Sequence, residues 1–334
     1  MKKVRPKANE KVLESKTYIP KLSEPVGQTA FDRFGTRSLI IAAVSIGLYL
    51  LWTGFVLGLR TDHLYLIGII TTAWFATEDS RKVLIALIPV AIYWLLYDSM
   101  RVYPNYLFNE VHIIQPYELE KSLFGILSNG EVLTPNEYMQ LHHNKGLDVL
   151  TALFYLCWIP VPIGYMVYLY FRGKELLIPF SMVFLLVNIL GIIGYYLYPA
   201  APPWYVEQYG FEFIANTRGY AAGLLNFDEI MGITMFRDMY DKNANVFAAI
   251  PSLHSAFPVI LTYFGWKKGL KWGTLAFGII TLGIWFSAIY TNHHYIIDVL
   301  LGGLCAVLAV LWFEAMMKIN ICKNWIEKYT SRIM

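Results

Sequence analysis

Charged side chains are scarce in this 334-residue chain. Asp, Glu, Lys and Arg together make up 15% of it, against 57% hydrophobic residues, and the mean hydropathy is +0.46. A water-soluble domain of this size needs roughly a quarter of its residues charged to cover its surface. Cysteine is nearly missing: Cys157, Cys305 and Cys322 are odd in number and lack metal-ligand spacing, which excludes a disulfide framework and a zinc site. The net charge of +3 is too small to suggest a nucleic-acid partner. No apolar stretch starts before Leu39, so no cleavable signal peptide is expected.

Long apolar runs are what the chain does have. Leu39 to Leu59, Val149 to Phe171 and Leu176 to Tyr198 reach the ~20 residues that cross a bilayer. Five further candidates are His63 to Thr77, Val83 to Tyr103, Ser252 to Trp266, Trp272 to Tyr290 and His294 to Met317, the first and third of them short. Pro89 in the second of these is tolerable where neighbouring helices satisfy the freed carbonyl. The expected fold is therefore all-α, a polytopic transmembrane helical bundle of about eight spans. Its domain layout reads as a basic tail over 1–38, a membrane domain over 39–317 and a short tail over 318–334.

An even number of spans puts both termini on one side, and charge tests the arrangement. Twenty of the 27 basic residues fall on that side: nine in the N-terminal tail, then Arg81 and Lys82, Arg172 and Lys174, Lys267, Lys268 and Lys271, and four after Met317. The positive-inside rule makes that side cytoplasmic. The two long connections, Pro104 to Gly146 and Pro199 to Pro251, then face the periplasm or a lumen as a loop cap. Short tails favour a bacterial inner membrane over a Golgi membrane. Trp204, Tyr205 and Tyr209 are read as an aromatic belt at the interface.

Ionisable residues at the ends of membrane helices point to chemistry. In Thr291-Asn-His-His-Tyr-Ile-Ile-Asp298, His294 and Asp298 are four apart and share a helical face. A carboxylate so placed fixes the imidazole tautomer and leaves the other ring nitrogen as base or nucleophile. A purely structural pair at a helix end would look the same. In Pro251-Ser-Leu-His-Ser255, Pro and Ser signal a helix start and place His254 in the first turn. There, free N–H groups and the helix dipole favour an anion. Topology sets His254, His294 and Asp298 at one depth on the outer side, an arrangement suited to two-step phosphoryl transfer.

The Pro-Ser-x-His segment followed by His-x-x-x-Asp resembles the type 2 phosphatidic acid phosphatase (PAP2) superfamily. Tyr198-Pro-Ala-Ala-Pro-Pro-Trp-Tyr205, Pro251-Ser-Leu-His-Ser-Ala256 and Thr291 to Asp298 resemble more narrowly its aureobasidin-resistance branch, the inositol phosphorylceramide synthases. His142 to Leu150 and Arg218 to Asp228 are similar too, so that the likeness spans roughly Asp98 to Gly303. PAP2 phosphatases usually carry an arginine where this chain has Ala288, and a lysine followed by Arg-Pro is missing, which leans the reading from hydrolase to transferase. The resemblance implies a phospholipid donor and a ceramide-like acceptor, His294 as nucleophile oriented by Asp298, His254 as acid and base, and neither cofactor nor metal. Arg218, Lys145, His143, Ser252 and Trp204 are the candidate substrate contacts, with Arg101 a further cation unless Asp98 satisfies it. Asp148 stands near a helix start and is read as a cap. A lipid phosphate phosphatase and a polytopic transporter remain the alternatives. A transporter predicts ionisable groups at mid-membrane and paired repeats, which the sequence lacks.

Overall fold

The computed structural model describes residues 32–243 and 245–334, so most of the basic 1–38 tail lies outside the described residues. Among the described residues, sixteen α-helices and one small hairpin follow one another. α1 (Thr36–Trp52), continued by a π-helical turn to Leu57, and α2 (Thr61–Ala76) lead into α3 (Glu78–Ala86) and α4 (Ile88–Ser99). The first long connection holds α5 (Ile114–Phe124), β1 (Ile126–Ser128) paired antiparallel with β2 (Glu131–Leu133), and α6 (Pro135–Leu141). Next come α7 (Lys145–Leu156), α8 (Pro160–Arg172) and α9 (Lys174–Leu197). The second long connection holds α10 (Pro203–Tyr209), α11 (Leu225–Met231) and α12 (Met235–Tyr240). The chain closes with α13 (Leu253–Lys267), α14 (Lys271–Tyr290), α15 (Ile296–Met316) and α16 (Asn320–Thr330).

Four of these are long and apolar enough to cross a membrane: Thr36–Leu57, Lys174–Leu197, Lys271–Tyr290 and Ile296–Met316. Two bent pairs raise the number to six if each is one span, α3 with α4 at 52° and α7 with α8 at 42°. The chain is an integral membrane protein. Both breaks interrupt runs that the sequence presents as continuous, and both have the same cause. Pro89, Pro160 and Pro162 supply no N–H and clash with the preceding turn, so the helix restarts with proline in its first positions. Residues 318–334, expected as a tail, fold instead into α16. Its Ile326 and the following Ile333 are buried, and the Tyr329 hydroxyl donates to the Ile85 carbonyl.

α9 is the axis of the bundle. Leu177, Ile178, Phe180, Val183 and Val187 are buried along it, and α4, α8, α13, α15 and α16 pack against it. α1 presents Leu48, Leu51 and Phe55 outward, the apolar surface that lipid would cover. α13 lies against both α14 and α15. Its contact with α15 is closest at Gly302, where a Cβ would meet the Ser252 carbonyl oxygen at 2.0 Å and Ser255 Oγ at 2.1 Å. Ser255 Oγ spans the same gap by donating to the Val299 carbonyl at 2.9 Å.

Filling that gap must push the two helices apart. Gly302→Ala is expected to destabilise the fold by about 1–3 kcal/mol and to lower catalytic rate with it. Gly278→Ala in α14, where a Cβ meets nothing within 4 Å, is the neutral control. Thermal unfolding of the detergent-purified variants checks both.

Candidate active site

The first turns of α13 and α15 and the end of α14 converge on three side chains. Ser252 is the N-cap of α13, as its sequence signal predicts, and its side chain accepts the Ser255 N–H. His254 thereby sits in the first turn. Its Nδ1 lies 3.2 Å from His294 Nε2, and His294 Nδ1 lies 3.3 Å from Asp298 Oδ2. A carboxylate oxygen only accepts, so His294 carries its proton on Nδ1 and turns the Nε2 lone pair toward His254. His294 itself precedes the helix: the N-cap is Tyr295, whose N–H donates to the same Asp298 oxygen at 2.9 Å. Asp298 also offers its backbone carbonyl to the Ser252 N–H, which ties the two helix starts together.

A sharp turn delivers His294 to this place. Asn292 holds a left-handed backbone with φ of 63°, a conformation asparagine tolerates better than most residues. Its amide donates to Glu207 Oε2 at 2.5 Å, and its carbonyl accepts the Trp204 N–H. The Ala288 carbonyl then accepts the N–H of both His293 and His294. Outer helix α6 clamps the turn from above. Asn136 Nδ2 donates to the Ile289 and His294 carbonyls, and Gln140 Nε2 to the Tyr290 carbonyl. From α5, the fully buried Glu120 accepts the N–H groups of Ile296 and Ile297 at 2.9 and 3.2 Å. Burial pushes the Glu120 carboxyl up to about 7, against the pull of those two donors.

The histidines close one end of a cavity of about 230 Å³. Its walls are otherwise mostly apolar: Trp94 and Tyr97 of α4, Trp158, Ile163 and Met166 by α8, and Phe184 and Tyr195 of α9. Asn243, Asn245 and His293 add polar groups to the lining, which among the described residues contains no lysine or arginine. His293 is held between the rings of Tyr240 and Tyr155 with its Nδ1 on Thr291.

The sequence-derived candidates divide. His254, His294 and Asp298 come together, and Trp204 is buried and lines the same cavity. Ser252 is fully buried beside them as the helix cap. Arg218 is 86% exposed and faces Asp241 at 3.8 Å, while Lys145 and His143 lie on the surface, and none of the three lines the cavity. Arg101 donates to Asp98, which also receives Arg60. Two readings change. Asp148 does not cap α7; Asn144 does, and Asp148 instead accepts the Tyr290 hydroxyl at 2.9 Å. Trp204 and Tyr205 form no belt, because both are buried within the second long connection, where the Tyr205 hydroxyl donates to the Glu212 carbonyl and accepts the Ile214 N–H. Asn136, Gln140, Glu120 and His293 escaped the sequence reading. For Asn136 there was a nearby signal, the Thr134-to-Glu137 capping box, which announces α6 but not what its side chains reach.

Residues 132–313 match the PAP2 superfamily. Among curated proteins, the phosphoinositol dihydroceramide synthase of Bacteroides thetaiotaomicron is 46% identical over 296 residues, spanning 88% of this chain and 97% of that protein. The inositol phosphorylceramide synthase of Candida albicans is 33% identical over 40% of this chain and 28% of its own. The catalytic subunit of the Saccharomyces cerevisiae enzyme is 33% identical over 35% of this chain and 29% of its own, so both fungal matches cover under a third of those proteins. No solved structure matches. By the span of the superfamily match and by its likeness along nearly the whole bacterial relative, the chain belongs to the PAP2 superfamily, in its inositol phosphorylceramide synthase-like branch.

Proposed function

We propose that the protein is a membrane phosphotransferase that moves a phosphoinositol head group from a phospholipid to a ceramide or dihydroceramide acceptor. The observation that carries this reading is the His254–His294–Asp298 relay at the end of a largely apolar cavity. The names of the relatives supply the head group and the acceptor class. Trp94, Ile159 and Ile163 are partly exposed on the outer surfaces of α4 and α8, while the far wall of the cavity is buried. Lipid chains would lie along this slot with the phosphate at the histidines.

His294 Nε2 attacks phosphorus in line, and the bond to the glycerol oxygen breaks. His254, doubly protonated beside the incoming phosphodiester anion, gives its Nδ1 proton to that oxygen, and diacylglycerol leaves. The head group is now bonded to His294 through a P–N bond, with Asp298 holding the Nδ1 proton and balancing the charge on the ring. In the second half His254 removes the proton of the acceptor hydroxyl, whose oxygen attacks phosphorus. The P–N electrons return to His294, and His254 is again doubly protonated. Water in the cavity would divert the intermediate to hydrolysis, which the outer helices oppose by covering the site.

We place eight spans in the membrane, counting α2, α13 and the two bent pairs with the four long helices. Both termini then face the cytoplasm, and residues 39–317 form the catalytic domain under an outer loop cap. A bacterial inner membrane, with the site facing the periplasm, suits the length and source of the first relative.

His294→Ala and His254→Ala should each cut transfer by at least about 10²–10⁴-fold, with Asp298→Asn close behind, while the proteins still fold in the membrane. Full activity in His294→Ala would sink the mechanism. Incubating purified protein with labelled phosphatidylinositol, with and without ceramide, tests the acceptor. Labelled inositol phosphorylceramide should form only with ceramide; release of inositol phosphate regardless of ceramide would instead identify a hydrolase.

A further inference from the structure

Glu120 lies outside the residues that match the superfamily, on α5 of the outer connection, yet it touches the helix that carries Asp298. Its side chain is fully buried, and both of its oxygens are engaged, one by the Ile296 N–H and one by the Ile297 N–H. The neighbouring Tyr295 N–H goes to Asp298. Two carboxylates thus serve three successive N–H groups that a helix start leaves without partners. No intrahelical bond can replace them, and water does not reach a group with no exposed surface. The angle at which α15 begins, and with it the direction of the Asp298 side chain toward His294, is set partly from the outer loop.

We propose that Glu120 is a positioning residue for the transfer reaction, its carboxylate holding the first turn of α15 in the register that lets Asp298 orient His294. The inference rests on the reading of His294 and Asp298 as catalytic. The ionised form is the competent one, because only a carboxylate offers two full acceptors to two N–H groups. A protonated carboxyl keeps one good acceptor and turns a hydroxyl toward the other N–H.

The groups around Glu120 are few. Asp298 raises its proton affinity from α15. Tyr295 stands on that segment, among Glu120, Asp298, Glu137 of α6 and Tyr117 of α5. Tyr117 is occupied by Glu137 and by Lys121, whose ammonium bonds the Tyr117 hydroxyl. Among the described residues, no basic side chain pairs with Glu120. With its carboxyl pushed up to about 7, the latch opens in mildly acidic medium. Activity should therefore rise as pH climbs through about 7. Stability runs the other way: a carboxyl raised from 4.5 to about 7 favours the fold while protonated, and that contribution fades as pH rises through the same window.

The test is a kinetic pH profile over about pH 5–9 for purified wild type, Glu120→Gln and Glu120→Asp, with His294→Ala alongside. Glu120→Gln should lower plateau kcat by roughly ten- to a hundredfold, leave KM for both lipids unchanged, and lose the ionisation near 7 that wild type shows. Glu120→Asp, one methylene shorter but still ionisable, should recover part of kcat with that ionisation displaced. A Glu120→Gln enzyme with wild-type kcat and profile overturns the proposal. So does one that keeps the ionisation and loses only thermal stability, since Glu120 would then be structural alone. If the Gln variant fails to fold, an unshifted profile in Glu120→Asp overturns it equally. Activity in His294→Ala would instead strike at the catalytic reading on which the proposal stands.

Discussion

The contact on which the site depends is the close approach of two helix starts at Gly302. α13 carries His254 and α15 carries Asp298, the carboxylate that bonds His294, and their first turns nearly touch backbone to backbone. A glycine there lets the Ser252 N–H reach the Asp298 carbonyl and Ser255 Oγ reach the Val299 carbonyl. Trp285 of α14 adds a third tie by donating to the Ser255 carbonyl. These bonds fix the backbones that carry the two imidazoles, whose ring nitrogens stand 3.2 Å apart. At the opposite ends of the same helices, Lys267 pairs with Glu314 and Lys268 with Glu175, so both ends of α13 are pinned.

Buried polar groups impose the second constraint. Helix ends leave carbonyls and N–H groups open, and in an apolar medium each one left unpaired costs several kcal/mol. Here the outer connections supply the partners. Asn136 and Gln140 take the carbonyls at the end of α14, Glu120 takes the N–H groups at the start of α15, and Asn105 donates to the Tyr195 and Phe247 carbonyls. These two connections are therefore part of the scaffold that holds the histidine turn.

This division explains what was legible in the sequence. The N-cap at Ser252 and the four-residue spacing of His294 and Asp298 are local patterns, readable from neighbours in the chain, and the fold keeps both; of the eight expected spans, four are single long apolar helices among the described residues, or six with the bent pairs. The bends before Pro89 and Pro160 were local too, but hydrophobicity masks them because the runs stay apolar across the break. Glu120 and Asn136 were not legible. Each looks like an ordinary polar residue of an outer helix, and its partner lies 176 or 158 residues away. Arg218 misled for the opposite reason. A cation near a phosphate chemistry invites a role, but nothing in its own neighbourhood says that it stands on the surface beside Asp241.

The charge of the cavity bears on the chemistry it can host. A phosphomonoester carries about −1.5 to −2 at neutral pH, and a site that binds one in an apolar setting needs fixed cations. A phosphodiester carries a single charge. Among the described residues, the cavity lining holds no lysine or arginine, and Ala288, where the sequence departs from the phosphatase pattern it otherwise resembles, is buried in a cluster with Phe227, Leu224 and Val299. What remains at that end is the open N-terminus of the α13 dipole, worth about half a unit of positive charge, and the proton that His254 can take up beside a bound anion. So little fixed positive charge suits the single charge of a phosphodiester better than the dianion of a phosphomonoester.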